Sequence, residues 1–161
     1  MRKPFIVLVA ALALAACHKP TVDNAAQAKT FLTQNAAKPG VHVLPDGLQY
    51  QILQSGPASG LRPAPGDEVK VNYEGKLIDG HVFDSSYERG TPAAMPLKGL
   101  IPAWQEALPL MRPGDVWMLY VPPKLGYGEK GAGDEIPPNS ALIFKIELID
   151  FLPGPGRIQQ G

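Results

Sequence analysis

The chain has 161 residues, 45% of them hydrophobic, and its 15 basic and 15 acidic side chains sum to zero formal charge. That length holds one domain of ordinary size, and with no surplus of lysine and arginine a nucleic-acid partner is set aside. Its 18 prolines and 17 glycines are scattered without a period, which fits a turn-rich β or α+β domain and neither collagen nor a disordered repeat.

At the N-terminus, Arg2 and Lys3 precede an apolar run from Phe5 to Ala16. A basic start, a short apolar stretch and small residues at its end read as a secretory signal peptide over residues 1–16. The run is shorter than the ~20 residues of a membrane-crossing helix. It ends in Leu14-Ala15-Ala16-Cys17, a spacing that resembles the lipobox of bacterial lipoproteins. The resemblance implies that Cys17 takes a lipid and anchors the protein to a membrane, and His18 after it leans towards the periplasmic side of the outer membrane. Cys17 is the single cysteine, so no internal disulfide is expected.

Residues 17–46 read as a tether with one short helix, AAQAKTFLTQNAAKPG, capped by Asp23 or Asn24 and followed by Gly40. Phe31 and Leu32 are its only large apolar residues. From Val41 the period changes to two. Leu48, Tyr50 and Ile52 form one alternating set, and Val69, Val71 and Tyr73 a clearer one, with Lys70, Asn72 and Glu74 facing out. Asp79-Gly80 has the composition of a two-residue hairpin turn. Pro102 to Leu108 reads as a helix, with Pro102 suited to its first turn. Val116, Met118 and Tyr120 alternate next, and Leu142, Phe144, Ile146 and Leu148 mark a last strand with Lys145 and Glu147 outward. Residues 154–161 are a Pro/Gly tail expected to fray. Strands without βαβ alternation, with one short site helix, predict an α+β domain over residues 47–153: an antiparallel sheet wrapped around the helix.

The chemistry-bearing residues are few. His18, His42 and His81 fit no metal-ligand spacing, and neither metal nor cofactor is expected. GYGEKGAG at 126–133 lacks the lysine and hydroxyl of a phosphate loop and reads as loop geometry. What remains is an aromatic set, Tyr73, Phe83, Trp104, Tyr127 and Phe144, with Leu100 and Ile101. Taken alone, such a set is most simply a core. One acid, Asp84, stands directly after Phe83, with Arg89 five residues on.

The blocks VNYEG, FDSSYERG, PLKGLIPAW, LGYGEKG and EIPPNSALIFKIELID together resemble the FKBP family of peptidyl-prolyl isomerases, in the family's order over residues 47 to 152. The resemblance implies roles. Trp104 becomes the floor on which a substrate proline rests, Tyr73, Phe83 and Phe144 the walls, and Leu100 and Ile101 the rim. The Ile101 N–H and the Tyr127 hydroxyl would bind substrate carbonyls. Asp84 would be a fixed polar group beside the amide, with Arg89 and Ile136 in support. The implied partners are X-Pro polypeptides, with macrolides as candidate inhibitors, and the short N-terminal helix suggests a monomer. Ala93, Met95, Ala103, Ala132 and Glu135 depart from the common pattern around the pocket edge and flap. A non-catalytic proline-peptide binder or holdase chaperone using the same cleft stays open as the alternative.

Overall fold

The computed structural model of the chain describes residues 22–156. The signal peptide read over 1–16, Cys17, His18 and the end of the tail, 157–161, lie outside the described residues. Strands β1 (Val41–Val43), β2 (Gln49–Gln54), β3 (Glu68–Leu77), β4 (Val82–Ser85), β5 (Ala93–Pro96), β6 (Val116–Val121) and β7 (Leu142–Leu152) form one antiparallel sheet. Its order is β1-β2-β6-β7-β3-β4, with β5 also on β3. Strand β7 pairs with β3 from Glu68 to Leu77. On the other edge of β3, β4 pairs over Glu74–Lys76 and β5 over Glu68–Val71. Among the described residues, three α-helices complete the fold: α1 (Asn24–Ala36), α2 (Ser86–Arg89) and α3 (Pro102–Ala107). The α+β architecture is the expected one.

The core lies between the sheet's inner face and α3. Val69, Val71 and Tyr73 point inward from β3, and Leu142, Phe144, Ile146 and Leu148 from β7, as their alternation predicts. Ala103, Trp104 and Ala107 of α3 close the other side. Each large aliphatic chain buried this way contributes about 1.5–3 kcal/mol. Helix α3 starts where predicted, with Pro102 in its first turn, and runs into a 3-10 turn over Leu108–Leu110.

Three details differ from the sequence reading. In β6 the buried set is Trp117, Leu119 and Val121, not Val116, Met118 and Tyr120. Both phases of VWMLYV are apolar, so period two alone does not choose between them. In β2, Ile52 is exposed while Gln49 is buried. Helix α1 covers that part of the sheet: Asn35 Nδ2 donates to Gln49 Oε1 at 2.9 Å, and Gln49 Nε2 donates to the Leu32 carbonyl at 2.9 Å. The β3–β4 connection is longer than a two-residue turn. The Gly80 N–H donates to the Leu77 carbonyl and the Leu77 N–H donates to the His81 carbonyl. Only Gly80 there has positive φ, +94°, whereas a type I′ turn needs it at both central residues.

Candidate functional site

Helix α3 places the centre of the site. Ile101 stays extended and its carbonyl accepts from the Trp104 N–H at 3.0 Å, so the helix starts abruptly and carries Trp104 on its first turn. The indole is 4% exposed. Tyr73 from β3 meets it edge-on at 5.1 Å and Phe144 from β7 at 5.3 Å; Phe83 from β4 then meets Phe144 edge-on at 5.6 Å. Such T-shaped pairs favour the ring quadrupoles and fix ring directions. Gly75 makes the wall possible, because a Cβ there would lie 2.7 Å from both the Phe83 and the Phe144 rings.

Above the indole lies a cleft of about 240 Å³ lined by these rings, Asp84, Leu100, Ile101, Tyr127, Met95 and Gly99. It is smaller than the ~300–1,000 Å³ pockets of drug-sized ligands and suits one small apolar ring. A larger groove, about 590 Å³, runs between α1 and Pro122–Lys124, but no aromatic side chain lines it. We therefore place the chemistry in the smaller cleft.

Asp84 is held at the cleft wall by two donors. The Tyr73 hydroxyl donates to its Oδ2 and Arg89 Nη1 to its Oδ1, while Arg89 Nη2 donates to the Tyr73 oxygen at 3.0 Å. Arg89 also lies 5.5 Å over the Tyr73 ring. The local sequence dictates this return. Ser85 caps α2 by accepting from the Glu88 N–H at 3.3 Å, and Gly90, at φ +68°, ends the helix after one turn. Ser86, fully buried, ties that turn to β3 by accepting from the Tyr73 N–H at 2.8 Å. Thus Ser85, not Asp84, is the cap. Partial burial pushes the Asp84 carboxyl up, but the bonds from Tyr73 and Arg89 outweigh it and hold the group below its usual range. Burial, then the Asp84 bond, raises the Tyr73 hydroxyl; burial, then the Asp84 charge, raises that of Tyr127. Both phenols therefore remain donors at neutral pH.

The rim and flap complete the site. The Ile101 N–H has no hydrogen-bond partner among the described residues. The loop after Tyr127 folds back through reciprocal bonds between Ala132 and Ile136, at 2.9 and 3.0 Å. Gly131 sits at φ +64°, and a Cβ there would lie 2.1 Å from the Ile136 carbonyl oxygen. His81 Nε2 meets Glu135 Oε2 at 2.5 Å, linking the loop to the β3–β4 hairpin.

All eight residues singled out from the sequence, Tyr73, Phe83, Asp84, Leu100, Ile101, Trp104, Tyr127 and Phe144, converge on this cleft. Arg89 stands behind Asp84, and Ile136 is buried beneath the flap rather than in the lining. Sequence reasoning missed Gly75 and Gly99, and it recorded Met95 only as a departure. Glycine in a strand was the one available signal for Gly75.

A sheet folded over a short helix, with an aromatic cleft and a braced carboxylate at the wall, defines a site with room for one small apolar ring. The family model described as FKBP-type peptidyl-prolyl cis-trans isomerase matches residues 60–149, and the model of the domain amino-terminal to it matches residues 9–52. The chain belongs to the FKBP-type peptidyl-prolyl isomerase family. It is 59% identical over 126 residues to the peptidyl-prolyl cis-trans isomerase Mip of Coxiella burnetii, covering 78% of this chain and 54% of that protein. It is 50% identical over 128 residues to the FKBP-type 22 kDa isomerase of Escherichia coli, covering 80% and 61%. The chain thus spans little more than half the length of these curated relatives. The crystal structure of Escherichia coli FkpA superposes with a TM-score of 0.78 at 44% identity, over 83% of this chain and 61% of that one. An isomerase structure from Pseudomonas syringae gives 0.75 at 38% identity, over 81% and 94%.

Proposed function

We propose that the protein catalyses cis-trans isomerisation of X-Pro bonds in polypeptides of the bacterial cell envelope. The aromatic cleft over Trp104 carries this reading. Amide resonance sets a rotation barrier of ~18–20 kcal/mol. The planar amide is the more charge-separated form and is better solvated than the twisted one. Transfer into the cleft removes that solvation and so favours the twisted state, and only such differential stabilisation raises the rate. The Ile101 N–H and the Tyr127 hydroxyl hold the flanking carbonyls while Asp84, fixed by Tyr73 and Arg89, sets the field beside the turning bond. A thousandfold acceleration needs only about 4 kcal/mol.

The test is isomerisation of a short X-Pro peptide by the wild type and by Phe83→Ala, whose half-buried ring can be removed without emptying the core, and Trp104→Ala. Both variants are expected to lose tenfold or more in kcat/KM, and Arg89→Ala less. A folded wild type no faster than the uncatalysed peptide would reject the reading.

The relatives include an outer membrane protein MIP of Legionella longbeachae, 47% identical over 132 residues. Together with Leu-Ala-Ala-Cys17, this supports a lipid-anchored envelope protein, with residues 1–16 as signal, 17–46 as tether and helix, 47–153 as isomerase domain and 154–161 as tail. Cys17→Ala is expected to move the protein from the membrane to the soluble fraction. Retention of that variant on the membrane would overturn the anchor.

A further inference from the structure

We infer that Gln105 is a positioning residue that aims the Ile101 N–H into the cleft; this rests on the isomerase reading of that cleft. Gln105 follows Trp104 on α3 and is exposed. Its side-chain Nε2 donates to the Leu100 carbonyl at 2.6 Å and, more loosely, to the Lys98 carbonyl at 3.4 Å. An amide with two hydrogens suits two carbonyls, whereas the opposite amide orientation would set oxygen against oxygen.

The Leu100 carbonyl and the Ile101 N–H belong to one planar trans peptide, so they point in opposite directions. Fixing the oxygen on the exposed side fixes the N–H towards the cleft, which both residues line. Other bonds secure the neighbours of this peptide and not the peptide itself. The Leu97 N–H donates to Asp67 at 2.9 Å, the Leu100 N–H to Leu97 at 3.2 Å, and the Ile101 carbonyl accepts from Trp104. Gln105 alone holds the Leu100 oxygen among the described residues. A bond to the carbonyl also polarises the peptide and makes its N–H a better donor. Helix α3 therefore carries floor and rim together: Trp104 under the ring, and Gln105 setting the donor that meets the substrate carbonyl.

The experiment compares X-Pro peptide isomerisation, thermal midpoint and the Ile101 amide resonance in four proteins. Gln105→Met keeps the length and removes the donor; Gln105→Glu offers only acceptors at neutral pH; Gln105→Lys restores a donor. The Met and Glu variants are expected to lose about three- to tenfold in kcat/KM, the weight of one hydrogen bond. Their Ile101 resonance should move while the thermal midpoint stays. The Lys variant should recover most of the rate and return the resonance, an ordering by donor capacity that a merely structural role would not produce. An active wild type matched by both the Met and Glu variants, with the Ile101 resonance unmoved, would overturn the inference alone. An inactive wild type would instead reject the isomerase reading beneath it.

Discussion

Asp84 shows how much a single side chain depends on its supports. Its carboxyl is partly exposed, so the Arg89 pair by itself adds little stability. The Tyr73 hydroxyl and Arg89 act together, and they depress the Asp84 pKa below the ordinary 3.8 against the upward push of burial. A carboxylate whose folded-state pKa is depressed gives stability above its unfolded value, lost as pH falls through the folded one. Tyr73→Phe removes one of the two donors. In that variant the Asp84 titration, followed by the carboxyl carbon resonance, is expected to move to higher pH, and acid unfolding should begin at higher pH than in the wild type. An unmoved titration would show that Arg89 alone sets the group. At this scale the sequence offered the identity of Asp84 and Arg89 five residues apart, but not the direction of either. Ser85 and Gly90 together make α2 one turn long and bring Arg89 back to Asp84.

Among the elements, β3 does most to shape the cleft, because its inward face serves the core at Val69 and Val71 and the site at Tyr73 and Gly75. Tyr73 supplies a wall, and Gly75, two residues on and on the same face, leaves room for two more. Gly75→Ala places a methyl 2.7 Å from the Phe83 and Phe144 rings. One or both rings must shift, with an overpacking cost of about 1–3 kcal/mol. Because catalysis depends on ring placement at the ångström level, the expected loss in kcat/KM is about ten- to hundredfold, far beyond the change in thermal midpoint. Activity equal to wild type would mean that the Phe83 wall is not part of the working surface. Strand direction was readable where one phase was polar, as in Val69-Lys70-Val71-Asn72-Tyr73. It was not readable in VWMLYV, where every residue is apolar and only the packing of Trp117, Leu119 and Val121 into the core chooses the phase. The β3–β4 hairpin was placed correctly by Asp79-Gly80, yet its turn was not, since turn type follows from which residues take positive φ and not from composition.

The whole molecule joins an N-terminal piece to the site through polar contacts that leave no hydrophobic trace in the sequence. Helix α1 has few large apolar residues, and it is held by the buried Asn35–Gln49 bond and by Asn24 Nδ2 donating to Pro138 at 3.0 Å. A weak amphipathic pattern therefore predicted the helix but not its seat. The turn between β1 and β2 makes a second link, because its Asp46 faces Glu106 of α3. Burial first, and then the Asp46 carboxyl, pushes Glu106 from 4.5 up to about 7. On Asp46, burial pushes upward, while bonds from Glu106 and the Leu48 N–H, 3.1 Å away, outweigh it and keep the group low. The pair thus holds one proton on Glu106. Its folded-state pKa lies above the unfolded value, so its stabilisation is complete below pH 4.5 and is lost as pH rises to about 7. Glu106→Gln retains a neutral donor towards Asp46 and cannot ionise. The thermal midpoint of the wild type should therefore fall relative to this variant between pH 4.5 and about 7, leaving the variant the more stable at pH 8. A constant difference between the two proteins across that interval would mean that Glu106 and Asp46 do not share a proton. Because Glu106 lies two residues beyond Trp104, the same titration would report how firmly the N-terminal hairpin grips the helix that floors the cleft.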